Sequence, residues 1–151
     1  MKLTDGLYIK ANMVAKLYGP EGLKDIREVH NLVTTLGHKM AADQLLAAPA
    51  LATPGWMEVG TGSGQTDASS ILAIYIVDSR TALDSKTRGA NAIITMVCTL
   101  AAGVGTGAIT EAGVFNVVTQ NTTDLICYAD FAAINKLAAD SLVITWTLTF
   151  A

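Results

Sequence analysis

At 151 residues the chain has the length of one domain, enough to bury about 68–70% of the surface its unfolded form exposes. Hydrophobic residues make up 51% and charged residues 15%, against about 25% charged in an ordinary soluble domain; at a net charge of −3 its ten basic residues are scattered, which excludes a nucleic-acid footprint of clustered Lys and Arg. A charge-poor chain with a mean hydropathy of +0.41 has to hide surface against a membrane or against other protein subunits.

A membrane is disfavoured by the residues themselves. The longest uncharged window, Gly89 to Thr110, is long enough to span and contains Gly103 and Gly107 in GxxxG spacing. It is broken by Asn91, Thr95, Thr99 and Thr106, and its dense apolar part, Ile93 to Ala102, is only half a span. The β-branched residues running into closely spaced glycines predict a strand and a turn. Met1 to Gly6 contains no apolar h-region, so no secretory signal is expected. Protein subunits therefore remain as the partner.

In chain order, the first predicted elements are two strands within Gly6 to Val33, around a turn at Tyr18-Gly19-Pro20-Glu21-Gly22. Pro20 presets φ for the turn and Gly22 can adopt a positive φ. One helix follows, Thr35 to Ala48, with Val33, Leu36, Met40 and Ala47 on one face and Pro49 and Pro54 closing it. From Trp56 onward the period is two. Strands are predicted at Met57–Gly60, near Ile71–Val77, at Thr81–Leu83, over Ile93–Leu100, at Ala112–Val118, over Leu125–Phe131 and over the C-terminal run. That last run is the clearest: Leu142, Ile144, Trp146, Leu148 and Phe150 alternate with Val143, Thr145, Thr147 and Thr149. It predicts a core face carrying Trp146 and an uncharged threonine face. Short strands at this spacing predict a mainly β fold, an antiparallel β-sandwich or related barrel with one short α-helix and an N-terminal hairpin. Residues 1–33 form the hairpin or arm and residues 34–151 the sandwich of a single domain.

No catalytic constellation emerges. Gly60-Thr61-Gly62-Ser63-Gly64 and Gly103-Val104-Gly105-Thr106-Gly107 lack the Gly-Lys-Ser/Thr ending of a phosphate loop, and Gln65 and Ala108 stand where a dinucleotide fingerprint needs its third glycine. Turn glycines account for both runs. His30 and His38 lack the spacing of a helical zinc site. A carboxylate pair such as Glu58 with Glu111 has the groups glycosidic chemistry uses, but any acidic protein offers such pairs. Cys98 and Cys127 lie in apolar runs and are expected as buried thiols, with a disulfide or metal pair as the alternative. Neither enzyme activity nor a cofactor or metal is expected.

Four blocks carry a resemblance: Asn31-Leu32-Val33-Thr34 with Gly37; Val59-Gly60-Thr61-Gly62; Gly105 to Asn116, with Thr110-Glu111-Ala112-Gly113-Val114-Phe115-Asn116 its most specific part; and Asn135-Lys136 followed by Ala139 to Leu148. Together they resemble small structural proteins of tailed-bacteriophage virions, of the kind described as capsid decoration or cement proteins or as tail-associated proteins. The chain departs from that pattern after Leu72, where Ala73-Ile74-Tyr75-Ile76-Val77 replaces a Gly and a Glu ahead of an Arg. The resemblance implies a non-catalytic virion protein made in the bacterial host cytoplasm. It would bind the major capsid protein on the outer capsid surface, with no nucleic-acid or membrane partner; symmetry and the charge-poor threonine faces add the expectation of self-association, for example as a homotrimer. A tail, neck or fibre-attachment component and a carbohydrate-binding module are the alternatives. The charge of the N-terminal hairpin makes Lys10, Lys16, Glu21, Lys24, Asp25, Arg27 and Glu28 the candidate partner-binding residues. They would act either as an interaction arm or as guards of an edge hairpin.

Overall fold

The computed structural model describes residues 8–150. In chain order the elements are β1 (Ile9–Gly19), β2 (Gly22–Val33), α1 (Thr35–Asp43), β3 (Trp56–Gly60), β4 (Thr81–Ala82), β5 (Ser85–Arg88), β6 (Ile93–Leu100), β7 (Gly107–Phe115), β8 (Leu125–Lys136) and β9 (Ser141–Phe150). The strands form one sheet, antiparallel at every pairing, in the order β4-β3-β7-β8-β2-β1-β9-β6-β5. The expected mainly β fold is what the chain adopts, in its barrel-like form. The strands at the two ends of this order, β4 and β5, are separated in the chain only by Leu83 and Asp84. Leu83 N–H donates to Gly55 O (2.9 Å) and Asp84 N–H to Val97 O (2.7 Å). One bent stretch thus bonds to both ends, and the sheet curls around its own core.

Period-two patterning builds that core. Ala11, Met13, Ala15 and Leu17 of β1, Met96, Cys98 and Leu100 of β6, and Leu142, Ile144, Trp146 and Leu148 of β9 all point inward and are buried. Trp146 is fully buried, as the strand phase predicts. At the tip of the first hairpin Gly22 has φ of +120°, as the turn reading requires. Thr34 caps α1 by accepting from Gly37 N–H (3.1 Å), and its hydroxyl donates to Leu125 O (2.6 Å), which ties the helix to β8.

The two halves of the sheet meet at a short seam. β2 and β8 pair only at Leu32↔Tyr128 and Val33↔Cys127. Where the strands diverge, the Arg27 guanidinium bridges them, donating from Nε to Ala132 O (3.0 Å) and from Nη2 to Ala133 O (2.9 Å). The halves differ in how their outer faces are treated. The irregular segment 61–80 crosses the outside of β3, β7 and β8, where Leu72, Phe115, Leu125 and Tyr128 form a second, smaller core. Gly113 makes room for it: a Cβ there would meet Leu125 Cδ1 at 2.6 Å and Phe115 Cε2 at 2.9 Å. Side chains, not another backbone, demand that space.

Several expectations are corrected. The N-terminal hairpin is neither an edge nor an arm: β1 and β2 lie in the middle of the sheet, between β9 and β8, because the alternating small and apolar residues of β1 complete the core. Its first residues, 1–7, lie outside the described residues. Ile71–Val77 is no strand beyond a single bridge, Gly60↔Tyr75; the N–H groups of Ala73 and Ile74 bond a carboxylate, that of Glu111, instead of a neighbouring strand. The helix stops at Asp43, not Ala48, and Ala47 is exposed. Its end tightens into i→i+3 bonds (Leu45 N–H to Ala42 O, Leu46 N–H to Asp43 O), and the Asp43 carboxylate accepts from Leu51 N–H at 2.7 Å. β7 begins at Gly107 and ends at Phe115, leaving Val117 and Val118 exposed in the following loop, and β5 was not anticipated.

Candidate functional site

Segment 61–80 covers one outer face; the other has no cover among the described residues. Residues paired across antiparallel strands share a side, so the registers assemble the outer face of β2, β1, β9 and β6 row by row. The rows are His30–Asn12–Thr147–Thr95, then Glu28–Val14–Thr145–Val97, then Ile26–Lys16–Val143–Thr99. All are half-buried or exposed. Across β9 and β6 no side chain is charged. A hydroxyl costs far less to desolvate than a charge, and Thr and Val are stiff at χ1, so ordering them on contact costs little entropy. From strand spacing and rise the four strands span roughly 14 by 26 Å. That is about half of the ~800 Å² one partner contributes to a specific interface, so a docked partner would also touch the charged rim.

The candidate residues divide across that rim. Lys10, opposite Thr149, and Lys16 and Glu28 lie on or beside the uncovered face, and Glu21 is exposed in the hairpin turn. Asn12 Nδ2 reaches Glu28 Oε1 only at 3.5 Å. Lys24, Asp25 and Arg27 are engaged inside the chain. Lys24 Nζ lies 2.7 Å from Asp140 Oδ2, and Arg27 pairs with Asp25 while it bridges the seam to β8. The structure therefore brings Lys10, Lys16 and Glu28 to one surface and separates from it the other charged positions of the hairpin.

The groups that invited a catalytic reading are occupied by structural bonds. Glu111 is fully buried. Its Oε1 accepts from Gly62 N–H (3.1 Å) and Ile74 N–H (2.8 Å), and its Oε2 from Ala73 N–H (3.0 Å) and Tyr128 Oη (2.9 Å). The glycine run at Gly60–Gly64 thus cradles an anion after all, but the anion is the chain's own; a Cβ on Gly60 would collide with Glu111 Oε1. Burial, with help from Glu111, pushes the Tyr128 hydroxyl well above its ordinary range. Glu58 pairs with Arg80 (3.1 Å) and accepts from Gln120 (2.7 Å), while Arg80 also pairs with Asp124 (3.1 Å) and stacks 3.8 Å over the Phe115 ring. Burial raises the Glu58 carboxyl, opposed by Gln120 and Arg80. Cys98 and Cys127 are free, buried thiols, and burial pushes Cys98 up to about 12 and Cys127 higher still. His30 is exposed on β2, and His38 Nδ1 lies 2.9 Å from Thr34 O. Among the described residues no three His, Cys, Asp or Glu side chains group as metal ligands, and no helix is long and apolar enough to cross a membrane.

Sequence reasoning missed both buried carboxylate networks. A signal for one existed: Glu111 sits in an otherwise small and apolar strand, in register opposite Gly60. A charge in that phase has to find donors, and a glycine-rich loop offers bare N–H groups. The Glu58–Arg80–Asp124 network joins residues far apart in the chain and left no comparable mark. Comparison with protein-family models, with curated proteins and with solved structures finds no match to this chain.

Proposed function

We propose that this chain is a non-catalytic structural protein of a tailed-bacteriophage virion, a decoration or cement protein that binds the major capsid protein on the outer capsid surface. The observation that carries the docking role is the uncovered, uncharged Thr/Val face of β9 and β6, on a molecule whose other outer face is covered by its own segment 61–80 and whose buried carboxylates are all bonded internally. The virion setting rests on the residue-level resemblance of the Thr110–Asn116 block and the closing Ile144-Thr145-Trp146-Thr147 strand. A protein that binds only the assembled shell stabilises it by mass action, without chemistry. Lys10, Lys16 and Glu28 supply register at the rim.

The test is a Thr145→Lys/Thr147→Lys variant added to heads that lack the native protein. Both side chains are half-exposed on the outer face, so the variant should melt like wild type while head decoration is lost. Normal decoration by the variant would exclude this face. Absence of the wild-type protein from purified virions would end the virion reading altogether, and a copy number of only a few per particle would move it from the capsid to the tail.

A further inference from the structure

The end of the barrel beside α1 holds an apolar groove of about 380 Å³. Its floor is built by core-facing residues of β6 and β9, Ile94, Met96, Leu148 and Phe150, and its lip by Met40 of α1 and Pro54. Pockets that hold a guest begin at roughly 300 Å³, so the space suffices for two leucine side chains. The loop that leaves α1 next to it supplies a matching pair: Leu45 is 88% and Leu46 is 60% exposed. Ala47, Ala48, Pro49 and Ala50 after them are also exposed, and no charged residue occurs from Gln44 to Met57. Gln44, the residue before Leu45, itself lines the groove, and its side chain is held by Leu51 O at 2.8 Å. The two leucines thus stand beside the groove of their own chain but outside it.

An uncharged apolar projection and a cleft with an apolar floor, lined on its β5 side by Lys86, Thr87 and Arg88, lie side by side on one molecule, each without a partner among the described residues. Leaving both in water is unfavourable. We infer that this end of the barrel is a self-association surface, in which Leu45 and Leu46 of one copy insert into the Met40–Met96–Phe150 groove of a second copy. Because projection and cleft are adjacent, the exchange can be reciprocal about a two-fold axis, or it can pass from copy to copy around a ring; both close on themselves. The surface is separate from the Thr/Val face, so self-association leaves that face accessible, and the inference holds whether or not the chain serves in a virion.

The full-length chain tests this by light scattering after gel filtration. Wild type should run at two or more times the 15.8 kDa chain mass. Leu45→Asp/Leu46→Asp, at exposed positions, should fall to the single-chain mass with an unchanged melting curve. Ala41→Glu, which places a carboxylate on the groove wall, should do the same, with Thr53→Glu on the exposed lip as its replacement should Ala41→Glu melt lower. Mixing the leucine variant with the groove variant should then restore a species of twice the chain mass, because one intact projection meets one intact cleft. Three results would overturn the inference: a monomeric wild type, a leucine variant that keeps the wild-type mass, and a mixture that stays monomeric. A wild type that is monomeric until residues 1–7 are deleted would show instead that the chain's own N-terminus fills the groove.

Discussion

Glu111 is the residue on which the covered half of the molecule depends. One carboxylate gathers three backbone N–H groups and the Tyr128 hydroxyl, and so fastens segment 61–75 to β7. Glu111→Gln keeps the volume but turns one acceptor oxygen into a donor facing donors. Leaving buried donors unbonded costs about 1–3 kcal/mol, so the denaturant midpoint should fall accordingly, and an unchanged midpoint would mean that the loop is held by other contacts. Asp140 sets a pH dependence. The Lys24 ammonium, then the Leu137 N–H, hold its carboxyl below the ordinary 3.8. With the folded value below the unfolded one, this stability is fully present above pH 3.8 and lost as pH falls through the lower folded value. Glu58, raised by burial, has the opposite sign: its contribution is present below 4.5 and lost as pH rises through the folded value. Acid titration of the denaturation midpoint should therefore be steeper for wild type than for Lys24→Met below pH 3.8. Equal slopes would remove Lys24 as the cause.

At the scale of elements, the N-terminal hairpin is the instructive case. Its charges suggested an arm, yet its first strand alternates Ala11, Met13, Ala15 and Leu17 into the core and pairs along its length with both β2 and β9. Deleting residues 1–28 removes β1, about half of β2 and the Arg27 bridge across the β2–β8 seam. Four inward side chains leave the core, and the inner edge of β9 loses its partner. The truncated chain should aggregate or lack a cooperative melt, since truncating even one large core side chain costs about 2–5 kcal/mol out of the roughly 5–15 that hold a domain together. A truncated chain that still melted cooperatively would show that β9 and β8 can close the sheet without the hairpin. The alternation was readable in β1 as it was in β9; the charges on the outer positions drew attention away from it.

The whole molecule is held as one unit by a core that crosses its weakest junction. The seam between the sheet halves has two residue pairs, but Met13 and Trp146 of one half share a continuous cluster with Val59, Val114 and Cys127 of the other. Unfolding should therefore be two-state, with a van't Hoff enthalpy near 100 kcal/mol, from about 0.7 kcal/mol per residue near 60 °C. Calorimetry showing two transitions of about half that size each would mean that the halves melt independently. The sequence by itself determined the mainly β class, the inward phase of β9 and the hairpin turn at Gly22, because each is written in residues at most a few positions apart. Strand order, the burial of Glu111 and Glu58, and the contrast between a covered and an uncovered outer face were decided only by tertiary structure. They depend on which distant segments meet: the partners of Glu111 lie in a loop some forty to fifty residues upstream, and the alternation that turns Thr145 outward does not say whether another segment crosses over it.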